Sequence, residues 1–204
     1  MDQSTDGKAE AIERRARMLK PLLERFESDQ RPVVLLVCGC AGSGKSTLAK
    51  AIVDKLPTFK RVSFDGIVAS NHGLYGIDYP EEDHEKLSDE ADVEFSETAK
   101  RLLAKGEDDI VLDRAFYAKK DREAYKQLAE DHGARWLLVY LTAPKDVLWQ
   151  RIQERRAAEM NADSARIISK ELLDEFYDGF EVPVREGELV IDTTASFASF
   201  TFGI

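Results

Sequence analysis

Apolar residues along this chain fall into short unbroken runs, with mixed and periodic stretches between them. Residues 33–38 (VVLLVC) and 135–141 (RWLLVYL) carry apolar side chains without strict alternation. Such runs predict strands covered on both faces, as in a parallel sheet. Residues 110–113 (IVLD) repeat the form on a smaller scale and finish in a carboxylate. Residues 60–64 (KRVSF) and 188–192 (ELVID) complete a set of five predicted strands.

The stretches between them have the helical period. In 8–26 the residues Ile12, Leu19, Leu22, Leu23 and Phe26 fall on one stripe, which Pro21 is expected to kink or divide. Helices are also predicted over 46–56, over 93–104 with Val93, Ala99, Leu102 and Leu103 inward, and over 119–132 with Ala124, Leu128 and Ala129 inward. His132-Gly133 supplies a C-terminal stop for the last of these. Two more helices follow, one opened by Pro144 and one over 165–180. Residues 68–80 have no period and read as a loop. Residues 78–97 are strongly acidic, with Lys86 as the single base: a solvated face, or a lid that attracts a cationic acceptor. In the tail, Phe200, Phe202 and Ile204 alternate with Thr201 and Gly203, the pattern of an edge strand, although a terminus is equally able to stay mobile. Strands alternating with helices make the fold class α/β, with a parallel sheet between two helical layers. The expected organisation is one domain: an N-terminal helix in 1–31, a core in 33–192 and a tail in 193–204.

Length and charge narrow the choice of partners. A chain of 204 residues has enough core for one such domain. Its net charge of −10 repels phosphate backbones, so nucleic acid is not an expected partner. Cys38 and Cys40 are the only cysteines, too few for a zinc site, and they suit a reducing, cytoplasmic setting. No apolar run approaches the roughly 20 residues of a membrane helix. Oligomeric state is left open.

The chemistry concentrates where the first strand ends. Residues 39–46 read GCAGSGKS and fit the pattern G-x-x-x-x-G-K-[ST]. A strand precedes the pattern and a helix follows it, the context in which it cradles phosphates. Gly39, Cys40, Ala41, Gly42, Ser43, Gly44, Lys45, Ser46 and Thr47 are therefore candidate nucleotide-binding residues. Lys45 offers a cation to the terminal phosphates, and the Ser46 hydroxyl is a candidate Mg²⁺ ligand. Asp65 and Asp113 each end a strand, where open parallel sheets gather their ligands. Asp113 suits the metal or the substrate, and Asp65 is either a site carboxylate or a helix cap. Arg114 can meet a phosphate or pair with a carboxylate. Arg151 and Arg155 share a helix face four residues apart, a spacing able to embrace phosphates or to stack on a base.

Three passages carry a family resemblance: GCAGSGKS, VLDRAFYAKKDREAYKQLAEDHG and LTAPKDVLWQRIQERR. With them the chain resembles the small P-loop kinases grouped with zeta toxins, chloramphenicol phosphotransferase, gluconate kinase and the kinase domain of phage polynucleotide kinase. The resemblance implies a P-loop NTPase three-layer sandwich with strand order 2-3-1-4-5 and a helical lid. It implies transfer of the γ-phosphoryl group of ATP, with Mg²⁺, to a small-molecule hydroxyl acceptor. Asp65 would then be the base, and Lys45 and Ser46 would hold phosphates and metal. Asp113 would assist the metal or the acceptor, Arg151 would lie near the adenine and Arg155 on the phosphates. Residues 180–183 (FEVP), Pro183 included, would border the adenine. The alternative is a nucleotide switch or an NTPase that uses water. A guanine-binding N-K-x-D segment is lacking, since Ala143-Pro144-Lys145-Asp146 has no Asn, which favours ATP over GTP.

Overall fold

The computed structural model describes residues 3–158, 161–164, 167–195 and 200–202. Strands β1 (Val33–Cys38), β2 (Phe59–Ser63), β3 (Asp109–Asp113), β4 (Arg135–Thr142) and β5 (Glu188–Asp192) form a parallel sheet in the order 2-3-1-4-5. A short strand β6 (Phe200–Phe202) adds to β5 in the antiparallel sense, so the alternating tail does supply an edge strand. All six residues of β1 are buried, as the unbroken apolar run predicts for a central parallel strand.

Helices α1 (Gln3–Leu23) and α2 (Lys45–Lys55) cover one face. Ala16, Leu19, Leu23, Leu48 and Ile52 pack there on Val33, Leu35 and Val37. The other face carries α4 (His84–Lys105) and α5 (Lys119–Asp131). Phe95, Ala99, Leu103 and Ala129 pack there on Val34, Leu36 and Ile110. Helix α3 (Phe64–His72) joins that layer through Phe64 and Ile67. Helices α6 (Lys145–Ala158) and α7 (Lys170–Asp178) build a separate cluster with Cys40 and Ala41, over the end of β1. No helix among the described residues is long and apolar enough to cross a membrane.

Several expectations change. Pro21 does not divide α1, which runs unbroken to Leu23 with the proline in its last turn. Arg135 then takes the Leu22 and Glu24 carbonyls at 2.6 and 2.7 Å, satisfying acceptors that a helix end leaves open. Phe26 is outside the helix and half exposed. Residues 68–72 are helical, since Ser63 caps α3 by accepting from the Gly66 amide at 3.1 Å, and Gly73 ends the helix at φ 83°. The acidic stretch forms a 3₁₀ turn at Glu81–Asp83 and the first half of α4, with Val93 on the solvent side. Ala124 is exposed on α5, and the buried positions are instead Arg122, Lys126 and Ala129. In the last predicted helix, α7 begins at Lys170, capped by Ser169; residues 165 and 166 lie outside the described residues.

Candidate functional site

A cleft of about 680 Å³ opens at the carboxyl ends of the strands. Such ends gather ligands in open parallel sheets, because the crossovers diverge there and leave a crevice. Its floor is the loop between β1 and α2. Gly39 sits at φ 145° and Gly42 at φ 79°. A Cβ on Gly39 would run into the Leu141 carbonyl oxygen, and one on Gly42 would lie 2.7 Å from the Leu148 carbonyl oxygen. The loop is thus pressed against β4 and α6, with no room for side chains at either position. The Gly39 amide donates to the Ala115 carbonyl at 3.2 Å, tying this loop to the one after β3. Ser43 is buried beneath the loop, and its hydroxyl has no hydrogen-bond partner.

Lys45, Asp65, Asp113 and Arg155 all line the cleft, with Gly39 to Gly42 and Gly44 to Thr47. Lys45 Nζ donates to the Cys40 carbonyl at 3.1 Å across the loop. Burial lowers the Lys45 pKa, while the charges of Asp113 and Asp65 pull it back up. Asp65 lies in the first turn of α3 with its side chain exposed to the cleft. Desolvation between the cleft walls raises its pKa; Lys45 opposes the rise, and Asp113 and Asp163 add to it. Both cysteine thiols are held protonated by burial, Cys38 being pushed up to about 12.

Ser46 Oγ donates to Asp113 Oδ1 at 3.3 Å. Two hard oxygen ligands from different elements therefore meet at one point. No group of three or more His, Cys, Asp or Glu among the described residues could hold a metal without outside ligands. This fits Mg²⁺, which keeps several waters and takes phosphate oxygens beside one or two protein ligands. The remaining oxygen, Asp113 Oδ2, accepts from Arg61 Nε at 2.8 Å and from Nη2. Arg61 Nη2 also reaches Asp163 at 2.6 Å, and Lys50 pairs with the same carboxylate. Burial would raise the Asp163 pKa, but these hydrogen bonds and charges hold it low. The segment after α6 is thereby pinned to the strand ends.

Two expected nucleotide residues are elsewhere. Arg151 does not line the cleft; it donates to the Thr193 hydroxyl and carbonyl at 2.7 and 3.0 Å, fastening α6 to the end of β5. Pro183 is buried outside the cleft, following Phe180, whose ring stacks on Tyr140 at 5.6 Å. Arg155, four residues further along α6, faces the cleft, where burial lowers its pKa against the pull of Asp65 and Asp163.

The opposite wall comes from α3, the 73–79 loop and the start of α4. Val68, Tyr79 and Ala91 form its small core, with Tyr75 and Leu87 against it. Tyr75, Tyr79 and His84 line the cleft as a ring cluster, with Tyr79 Oη and His84 Nδ1 3.1 Å apart. Arg114 pairs with Asp92 through both guanidinium nitrogens and lies over the Phe64 ring at 5.1 Å. Arg61, Asp163 and Lys50 had no motif to mark them. The register pairs Ser63 with Asp113 and sets Arg61 diagonally across, a relation that strand alternation alone does not reveal.

The loop after β3 is held from below. Arg122, fully buried, makes two 2.7 Å bonds to Glu186 and donates to the Phe116 carbonyl at 3.0 Å. Phe116 is at φ 46°, a conformation that needs such support.

Comparison with known proteins followed this geometry. An AAA domain family profile, AAA_33, matches residues 34–183. No curated protein matches. Among solved structures, a presumed kinase from Chloroflexus aurantiacus J-10-fl is 23% identical at a TM-score of 0.64, over 80% of this chain and 89% of that one. A gluconokinase from Sinorhizobium meliloti 1021 is 21% identical at 0.56, over 84% and 86%. A structure of the PezAT toxin–antitoxin system of Streptococcus pneumoniae is 15% identical at 0.56, over 97% and 81%. At these identities the structural likeness is one of fold. The family profile covers most of the chain and its phosphate loop, and the chain belongs to the AAA_33 family of AAA domains, with the fold of the small P-loop kinases.

Proposed function

We propose that this protein is an ATP-dependent kinase that transfers the γ-phosphoryl group to a hydroxyl of a small-molecule acceptor. The observation that carries the reading is Asp65. It shares the cleft with Lys45 and with the Ser46–Asp113 pair that suits a metal, a second carboxylate whose charge acts on the same lysine. A water-using switch has no evident use for a second carboxylate beside a ring-lined wall. The acidic 78–97 segment disfavours a polynucleotide acceptor, and the gluconokinase among the structural neighbours is in keeping with small-molecule transfer.

Ser46 and Asp113 would hold Mg²⁺, which when bound neutralises charge on the β- and γ-phosphate oxygens. The loop amides and Lys45 bind and orient the triphosphate, and Arg155 meets charge that builds on the transferring group. The acceptor oxygen forms its bond to the γ-phosphorus as the β–γ bridging bond breaks. Its proton passes to the Asp65 carboxylate, and ADP leaves. A raised pKa makes Asp65 a better proton acceptor than an ordinary aspartate, provided the pH keeps it ionised.

Asp65→Asn tests this. Calorimetric Mg·ATP affinity should persist, while acceptor phosphorylation falls by about 10²–10⁴-fold, the scale of general base catalysis. Normal phosphorylation by the variant would reduce Asp65 to a first-turn helix carboxylate. Phosphate release with water as the only nucleophile, across a broad hydroxyl panel, would replace the kinase with an NTPase.

A further inference from the structure

The phosphate end of the cleft has its cations ready; the other end does not. Among the described residues, the lysines and arginines that line the cleft are Lys45, Arg114 and Arg155. Lys45 belongs to the phosphate loop and Arg155 to the lid helix. Arg114 alone stands on the acceptor side, and Asp92 already holds it through both nitrogens, one of them at 3.1 Å. Its guanidinium is also sandwiched against apolar rings, 5.1 Å from the centre of Phe64 and 5.9 Å from that of Phe95. An anionic acceptor would have to break this pair, or compete with the triphosphate for Lys45 and Arg155.

Cations meet the reverse situation. Tyr75, Tyr79 and His84 line the same wall. Tyr79 and His84 are nearly parallel, at 7°, and Tyr75 stands against Tyr79 at 85°. The three rings pack on one another; Tyr79 is buried and Tyr75 half-buried at the lining, where a tyrosine ring face attracts an ammonium group. Asp65 adds a carboxylate to the lining, while the charge of Asp92 is met by Arg114. Outside the lining, the 3₁₀ turn and the start of α4 carry six further carboxylates between positions 81 and 90 against Lys86 alone. Their summed field favours the approach of cations over anions.

We propose that the acceptor side of the cleft selects a hydroxyl compound carrying a protonated amine, and rejects acceptors that carry a carboxylate or phosphate. The inference rests on the kinase reading above and names the acceptor class for the same site. The amine stays protonated and takes no part in the transfer; it seats the hydroxyl toward Asp65.

The test uses three alcohols on one phenylpropyl skeleton: phenylalaninol (cationic), 3-phenyl-1-propanol (neutral) and 3-phenyllactate (anionic). Each is titrated by calorimetry into the full-length protein holding Mg²⁺ and a non-hydrolysable ATP analogue, then assayed with ATP for phosphorylated product. The cationic probe should bind roughly tenfold more tightly than the neutral one, the scale of a desolvated cation–π contact, and the anionic probe weakest. Two variants follow, each checked for nucleotide affinity. Tyr75→Leu should erase most of the gap between cationic and neutral probes. Asp92→Asn, which releases Arg114, should narrow or invert the gap between cationic and anionic probes. Equal binding of all three, preference for 3-phenyllactate, or binding of none overturns the inference. The kinase reading fails separately: the cationic probe binds with the expected preference, yet no hydroxyl in a broad panel gains a phosphoryl group while water does.

Discussion

Replacing Glu186 by Gln should cost this protein more than any other single-atom exchange in the charge networks beneath the cleft. Arg122 and Glu186 are 0% and 3% exposed and share two 2.7 Å bonds. Lys126 is 5% exposed, donates to the Glu186 carbonyl at 2.7 Å and lies 3.9 Å from its carboxylate. The amide keeps the shape, but it turns one acceptor into a donor facing a guanidinium and leaves a buried cation uncompensated. Breaking a buried pair from one side costs about 3–5 kcal/mol. In a domain of this size each kcal/mol shifts Tm by about 2–4 °C, so the expected fall is roughly 6–20 °C. Calorimetric melting at pH 7 measures it. Burial pushes the Glu186 pKa up, but Arg122 and Lys126 outweigh it and hold the value below the ordinary 4.5. The pair therefore stabilises fully above that ordinary value, and its contribution is lost as pH falls through the lowered one. The gap between wild type and Glu186→Gln should shrink correspondingly in acid. Arg122→Met with Glu186→Leu should recover much of the loss, since the buried guanidinium goes with its carboxylate and Lys126 keeps Glu123 as its partner at 2.7 Å. A Tm within about 3 °C of wild type for Glu186→Gln would refute the argument, because by the same scale it means under ~1.5 kcal/mol.

Three further outcomes bear on the site itself. Lys45→Ala should reduce turnover by about 10²–10³-fold, the scale for removing one preorganised electrostatic contact, with the melting curve little changed. Arg155→Ala should lower kcat more than it weakens nucleotide binding, since its target is charge that builds during transfer; steady-state kinetics beside calorimetry separate the two. Activity should fall on the acid side with a midpoint above the ordinary aspartate value of 3.8, because Asp65 is raised and must be ionised to take a proton; a kcat/KM profile with no such limb would remove Asp65 from the base role.

The parts of the fold that were legible are those whose pattern is local. Three buried strands announced themselves as apolar runs, and the phosphate loop as glycines between a strand and a helix. The reading faltered where long-range packing decides. Residues 68–72 lie between two glycines and have little helical preference, yet Val68 finds Tyr79 and Ala91 and the helix forms. Charge masked the start of α4, although Leu87, Ala91 and Phe95 stand at the helical spacing of four. On α6, Arg151 and Arg155 stand at the spacing expected to turn both toward nucleotide, but Thr193 at the end of β5 takes the first and the cleft receives the second. Nothing in the sequence separates Arg122 and Lys126 from solvated helix charges. Only the return of Glu186, 64 positions later, makes their burial possible.

Five parallel strands have a consequence for how this protein lives with its ligand. Parallel neighbours cannot be joined by tight turns, so every link is a crossover, and distant stretches must be brought together before any cleft exists. Ser46 meets Asp113 across 67 positions, and Arg61 meets Asp163 across 102. The cleft lining runs from Gly39 to Phe176, so no short fragment contains the site. On the proposed function, nucleotide would bind the folded molecule and act as a clamp on it, adding about 2.7 kcal/mol when present at a hundred times its Kd. The contacts that would ready the phosphates for chemistry would then also guard the chain against unfolding and proteolysis.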